Sequence, residues 1–255
     1  MDFLRCIYQD KHLYAIHKPA GIPFHSLDES NQDNETLHHV EGIVSLTKKY
    51  LNDEQIYPVH RLDRMTSGLM IFARSSEINS ELSKLFAEKK IEKYYLALSA
   101  NKPKKKQGAV IGDMTKGRSG SYLLKRSLEN PAITRFFASK ILINDESVWF
   151  YVLKPETGKT HQLRVALKSL ASPILGDSRY SGKAATRGYL HAYKIRFDLR
   201  GERYEIVDPY FNGAEFSFEK ITSFIEVDPQ NSHSKFQNIM YPESFNWSKS
   251  SFLLS

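Results

Sequence analysis

Residues His60-Arg61-Leu62-Asp63-Arg64-Met65-Thr66-Ser67-Gly68-Leu69 set one carboxylate between two guanidinium groups, just ahead of a Thr-Ser-Gly turn and the apolar Met70-Ile71-Phe72-Ala73. Nearby positive charge favours the ionised form of an acid. An ionised, positioned Asp is a candidate nucleophile or base. Three other patches carry unusual chemistry: Lys18-Pro19-Ala20-Gly21, Lys93-Tyr94-Tyr95-Leu96-Ala97, and Leu153-Lys154-Pro155-Glu156-Thr157-Gly158-Lys159-Thr160-His161-Gln162-Leu163-Arg164.

The elements that must position these patches are partly readable. Ile7 to Ile16 is a strand pair turning at Gln9-Asp10-Lys11. Leu37, Val40, Val44 and Leu51 fall at roughly helical spacing, which predicts a helix over 36–51 that Gly42 weakens. The better helix is Ser76 to Lys90: Ser76 can cap it, and Ile78, Leu82, Leu85 and Phe86 form one apolar face. Tyr94–Leu98, Ser147–Leu153, Leu190–Leu199 and Tyr204–Val207 are predicted strands, with Gly201 turning the last pair. The glycine-punctuated stretch Gly108–Gly120 reads as a loop excursion, and His161–Leu170 as a helix. Strands dominate and helices intervene irregularly. The fold class that follows is α+β, a mixed and mainly antiparallel sheet core flanked by helices and loops.

Composition narrows the function. At 255 residues, 41% hydrophobic and 25% charged, the chain supports a substantial core. A single cysteine, Cys6, excludes an intrachain disulfide and a cysteine-built zinc site. No apolar run is long enough to span a bilayer, and residues 1–18 lack the apolar core of a signal peptide, so a cytoplasmic protein is expected. The net charge of +7 comes from one segment: Lys84 to Lys140 holds fourteen Lys or Arg against four Asp or Glu. Its densest part, Lys102-Pro103-Lys104-Lys105-Lys106, suits phosphate backbones, although a solvated lysine loop would have the same composition.

Taken in order, the four patches resemble the sequence blocks of the RluA-type pseudouridine synthases, whose central motif is H-R-L-D followed by a T-S-G turn. Pro173-Ile174-Leu175-Gly176-Asp177 and Leu190-His191-Ala192 look like further blocks of that family. The resemblance spans about Ile7 to Val207. It implies isomerisation of uridine in RNA: the bond from ribose C1′ to uracil N1 breaks, the base turns, and C1′ joins C5. No cofactor or metal is needed, and the chain has no G-x-G-x-x-G, P-loop or H-E-x-x-H.

The resemblance assigns roles residue by residue. Asp63 is the essential aspartate, which attacks C1′ or C6 or removes a ribose proton. Arg164 is the partner that keeps it charged, and Tyr95 stacks on the uracil or helps its proton transfer. Leu163 walls the base, and Arg61 fills the space the uridine leaves when it is drawn from its stack. Lys104, Lys105 and Lys106 are the candidate phosphate contacts. The family often has a His where this chain has Ala166, a change that bears on RNA contacts.

The expected partner is ribosomal or transfer RNA, with no membrane, no obligate protein partner and a monomeric chain. Residues 1–227 are expected to form the catalytic domain and 228–255 an aromatic-containing tail packed on it. A rival is a catalytically inactive RNA-binding protein of the same fold, which would explain the charge but not the joint retention of Asp63, Tyr95 and Arg164. A kinase is ruled out by the missing glycine-rich loop and Asp-Phe-Gly. The scattered histidines lack the ligand spacing a metal-dependent nuclease needs.

Overall fold

The computed structural model describes residues 4–31, 34–143 and 146–211. In chain order the elements are β1 (Arg5–Gln9), β2 (Leu13–Lys18), β3 (Leu27–Asn31), β4 (Asn34–Val40), α1 (Ile43–Leu51), β5 (Tyr57–Pro58), β6 (Ser67–Ala73) and α2 (Ser76–Ala87). There follow β7 (Glu92–Ser99), β8 (Gln107–Gly112), β9 (Met114–Lys116), β10 (Tyr122–Leu124), β11 (Ala132–Ile143), β12 (Glu146–Pro155), α3 (Gln162–Ser169), β13 (Leu190–Leu199) and β14 (Glu202–Val207). The described residues form two compact units: those within 4–91 together with 191–208, and those within 92–190 together with 209–211. The α+β class and the mixed, mainly antiparallel sheet agree with the sequence expectation.

In the first unit β1 pairs antiparallel with β2, β2 with β6, and β6 runs parallel to β13, which carries β14. Alternation along the strands puts Leu13, Ala15, Leu69, Ile71, Ala73, Ile195, Phe197 and Leu199 into one core, where Ile78 and Leu82 of α2 join them one helical turn apart. Every residue of β6 is buried, as expected of a strand covered on both faces. The parallel pairing of β6 with β13 sets Gly68 opposite Ala192. A Cβ on Gly68 would lie 2.3 Å from the Ala192 carbonyl oxygen, and its φ is +110°, so only glycine fits the Thr-Ser-Gly turn.

In the second unit β7, β12, β11 and β8 form an antiparallel ladder, with Leu153 opposite Tyr95. The pairing of β9 with β10 makes a small separate ribbon.

Three sequence expectations are corrected. Residues 36–40 are strand, not helix: α1 begins only after Gly42, whose Cβ would meet the His25 carbonyl carbon at 2.3 Å. That close approach of two backbones breaks the helical spacing on which the expectation rested. Part of Gly108–Gly120 is ladder strand β8 and ribbon strand β9, because pairing with β11 and β10 satisfies backbone that reads as loop from composition alone. The N-cap of α2 is Ser75, whose Oγ accepts the Ile78 N–H at 3.2 Å, rather than Ser76. The tail expectation for 228–255 lies outside the described residues.

Candidate active site

In the first unit, the chain around Asp63 is pinned through its backbone. The Thr66 N–H donates to the Asp63 carbonyl at 3.0 Å, closing a turn. The Lys18 ammonium, fully buried, donates to the carbonyl oxygens of Pro19 (3.0 Å), Arg64 (3.2 Å) and Thr66 (2.8 Å). Three acceptors on one buried cation satisfy a charge that would otherwise be costly to bury. The Gly21 N–H adds a bond to the Arg64 carbonyl at 2.7 Å. The Lys-Pro-Ala-Gly patch is therefore a cradle for the His-Arg-Leu-Asp turn, and Asp63 sits on it half-buried.

The two flanking guanidinium groups are engaged with other side chains. Arg64 forks onto the Glu29 carboxylate and donates through Nε to the Gly21 carbonyl at 2.8 Å. Its hydrogen bond holds the Glu29 carboxyl below its ordinary value. The Arg61 guanidinium lies 5.5 Å from the centroid of the Phe24 ring. Adjacency in sequence thus does not aim these charges at one carboxylate, because successive side chains leave a turn in different directions.

Behind the turn runs a buried polar chain. Ser67 Oγ is 2.9 Å from His191 Nδ1, His191 Nε2 is 3.0 Å from the Asp208 carbonyl oxygen, and His17 Nδ1 is 2.6 Å from Asp208 Oδ2. A Ser, a His and an Asp in sequence invite comparison with a hydrolytic triad. Yet Ser67 and His191 are buried to 2% and 0% exposure, so no substrate can reach them, and the chain instead fastens the start of β6 to β13 and the segment after β14.

In the second unit, β7 settles which tyrosine faces where. Tyr94 is buried and its hydroxyl donates to Glu92 at 2.9 Å, while Tyr95 is half-exposed on the opposite face. Burial pushes the neighbouring Lys93 ammonium below its ordinary value.

The Thr157–Arg164 block orients α3 through Gln162, a buried amide that uses both ends. Its Oε1 accepts from Thr157 Oγ1 (2.7 Å) and the Lys159 N–H (3.0 Å), and its Nε2 donates to the Ile133 carbonyl and Thr134 Oγ1, both at 2.9 Å. His161, at φ +57°, is the residue just before the helix.

Arg164, the third residue of α3, makes a two-pronged ion pair with Asp177: Nε to Oδ2 at 2.7 Å and Nη2 to Oδ1 at 2.8 Å. Its guanidinium also lies 4.9 Å from the Tyr180 ring. The Tyr180 hydroxyl meets His161 Nδ1 at 3.0 Å and accepts the Tyr122 N–H at 2.9 Å. Burial pushes the Tyr180 phenol above its ordinary value, outweighing the Tyr122 bond and the Arg164 charge that draw it down. Leu163, on the same helix, is buried.

Of the lysines, Lys104 and Lys106 are exposed and Lys105 is half-buried. The Lys104 N–H bonds the Leu170 carbonyl at 2.9 Å, at the C-terminal end of α3. Leu170, the C-cap of α3, follows Arg164 by six positions, about 9 Å of helical rise.

Asp177, Tyr180 and Gln162 were not singled out from sequence. The signal for Asp177 was present, an acid following Gly176 in an otherwise apolar block. A Cβ on that glycine would lie 1.8 Å from the Arg187 carbonyl oxygen. Among the described residues no group of three or more His, Cys, Asp or Glu is placed to hold a metal, and no helix is long and apolar enough to cross a membrane.

Comparison with known proteins identifies the family. Residues 12–169 match the family model described as RNA pseudouridylate synthase. An uncharacterized RNA pseudouridine synthase of Haemophilus influenzae is 46% identical over 197 residues, covering 76% of this chain and 82% of its own. A tRNA pseudouridine synthase C of Pasteurella multocida is 32% identical, with 89% and 93% covered. The ribosomal large subunit pseudouridine synthase D of Borreliella burgdorferi is 33% identical over 76% of this chain and 60% of its own. Among solved structures, the human RNA Pseudouridylate Synthase Domain Containing 1 shares the fold, with a TM-score of 0.66 at 22% identity, over 81% of this chain and 84% of its own.

Proposed function

The chain belongs to the RNA pseudouridine synthase family, of RluA type, and is an isomerase; on that premise we propose that Asp63 is the catalytic carboxylate and that a uridine in ribosomal or transfer RNA is the substrate. The reaction balances without a second substrate. The C1′–N1 bond breaks, the uracil turns, a C1′–C5 bond forms, the proton on C5 leaves, and N1 ends protonated.

One observation supports Asp63 above all: the carboxylate rides on a turn whose carbonyls are fixed by Lys18, Gly21 and Thr66. Pre-organisation of that kind is what a group meeting a developing charge requires, since no reorganisation is then needed during reaction. Tyr95, half-exposed on β7, supplies the aromatic face for the uracil, and Leu163 an apolar wall. Arg164, held in its fork by Asp177, supplies fixed positive charge. Arg61 takes the space of the uridine drawn out of its stack, its flat guanidinium replacing a base face at a cost to the RNA of a few kcal/mol.

The relatives named for transfer RNA and for the large ribosomal subunit support both RNA classes. The lysine cluster at 104–106 is where a flanking phosphate would be neutralised. The test is incubation of purified protein with RNA from cells lacking the gene, followed by pseudouridine mapping. The expected result is one or a few new sites made by wild type and none by Asp63→Asn. Equal conversion by Asp63→Asn overturns the assignment of Asp63.

A further inference from the structure

We propose that Phe24 is a positioning residue for substrate extrusion, an aromatic platform that holds Arg61 in the orientation in which it enters the RNA stack. The inference rests on the reading of Arg61 given above and adds to it the residue that presets Arg61. The guanidinium of Arg61 lies 5.5 Å from the Phe24 centroid, within cation–π range. Arg61 is an exposed side chain, so without a surface to lie on it would sample many rotamers and lose them on entering the stack.

The platform itself is rigid. The Pro23 carbonyl accepts the Ile43 N–H at 2.8 Å and the Phe24 carbonyl the Val44 N–H at 3.5 Å, which fixes the segment to the start of α1. Ser26 Oγ accepts the Gly42 N–H at 3.0 Å, and the bare Cα of Gly42 lets the backbone of His25 and Ser26 come close. On its other side the segment is bound to the Asp63 turn by the reciprocal pair Gly21 N–H to Arg64 O and Arg64 Nε to Gly21 O. The His25 ring lies 4.5 Å from the Phe24 ring, centroid to centroid, at an interplanar angle of 80°, a T-shaped contact that adds to the hold on the platform. Phe24 is half-buried, too exposed for a residue whose whole use is core packing. A guanidinium has two faces. With one on Phe24, the other is presented to a nucleobase, so the RNA meets a ready-made aromatic–guanidinium layer in place of a mobile side chain.

The test is single-turnover isomerisation of RNA prepared from cells lacking the gene, by wild type, Phe24→Met, Phe24→Trp, Arg61→Ala and the Phe24→Met/Arg61→Ala pair. Phe24→Met keeps the volume and removes the π face. The expected result is a rate about tenfold lower for Phe24→Met, the size of a partly desolvated cation–π contact. RNA affinity should stay within about twofold, since the contact lies within the protein and adds nothing to phosphate neutralisation. Phe24→Trp should retain the rate, and the double variant should be no slower than Arg61→Ala. A Phe24→Met rate equal to wild type, or losses that multiply in the double variant, overturns the proposal while leaving the pseudouridine reading intact. Absence of pseudouridine with wild type overturns both. Should Phe24→Met fold poorly, the decision passes to Phe24→Trp, in which a fall in rate equal to that of Arg61→Ala contradicts the platform.

Discussion

Arg164 and Asp177 form a two-pronged ion pair at 2.7 and 2.8 Å, with both residues buried, at 7% and 2% exposure. Two charges out of water hold each other in place, and removing one takes away a bond that offsets the burial cost of the other. Asp177→Ala should therefore cost about 3–5 kcal/mol in thermal or denaturant unfolding. Turnover should fall with it, because Arg164 loses its fixed orientation. Asp177→Glu, which restores charge but not geometry, should recover stability in part and turnover less. An Asp177→Ala protein as stable and active as wild type would contradict the role given to the pair.

Lys18 offers a separate test of the cradle beneath Asp63. Its ammonium serves three carbonyl oxygens and is fully buried. Lys18→Met keeps the stem and withdraws the donor from the Pro19 and Thr66 carbonyls, while the Arg64 carbonyl still accepts the Gly21 N–H. Each orphaned acceptor costs about 1–3 kcal/mol, so a loss of at least about 2 kcal/mol is expected in urea unfolding. An unchanged midpoint would show that the clamp contributes nothing.

Acid should act on the first hairpin through Asp10. Its Oδ1 accepts the N–H groups of His12 (2.7 Å) and Leu13 (2.8 Å), and Oδ2 accepts the hydroxyl of Tyr204 at 2.7 Å. Burial pushes the carboxyl up, yet these hydrogen bonds win and hold it below its ordinary 3.8. A carboxyl depressed on folding adds stability that is present above pH 3.8 and is lost as pH falls through the lower folded value. Asp10→Asn should lower the melting temperature at pH 7, and the gap to wild type should shrink as pH falls below 3.8. A gap of constant size across that range would exclude the carboxylate charge as its source.

Much of this was legible from residue order. Alternation gave β13, turn residues at Gln9-Asp10-Lys11 and Gly201 gave the pairs β1–β2 and β13–β14, and the i, i+4 pair Ile78 and Leu82 gave α2, because one buried face imposes that spacing. Asp63, Arg61, Tyr95 and Arg164 were named from motif blocks. Less legible was whatever depends on close approach of distant backbone. Gly42 against His25 turned an expected helix into β4, and ladder pairing turned a glycine-rich stretch into β8. The Asp177 partner of Arg164 lies thirteen residues on, across a chain reversal, and no local period announces such a pair. The stacking of Arg61 on Phe24 was hidden for the same reason.

The lysine cluster makes a quantitative prediction about salt. Neutralising Lys104, Lys105 and Lys106 to Gln should weaken RNA binding and reduce the slope of log affinity against log salt by about 0.7–0.9 for each phosphate contact removed. Filter binding across a potassium chloride series reads both quantities. A weaker affinity with an unchanged slope would mean that the lysines act through folding and not through phosphates.

The central claim is that Asp63 turns a uridine of cellular RNA into pseudouridine. Its most direct test is pseudouridine mapping by carbodiimide-stop sequencing of total RNA from cells with the gene, without it, and without it but carrying wild type or Asp63→Asn. The account predicts a stop that vanishes on deletion, returns with wild type, and stays absent with an Asp63→Asn protein that still binds RNA. A stop restored equally by Asp63→Asn, or a profile that deletion leaves unchanged at every uridine, would contradict it.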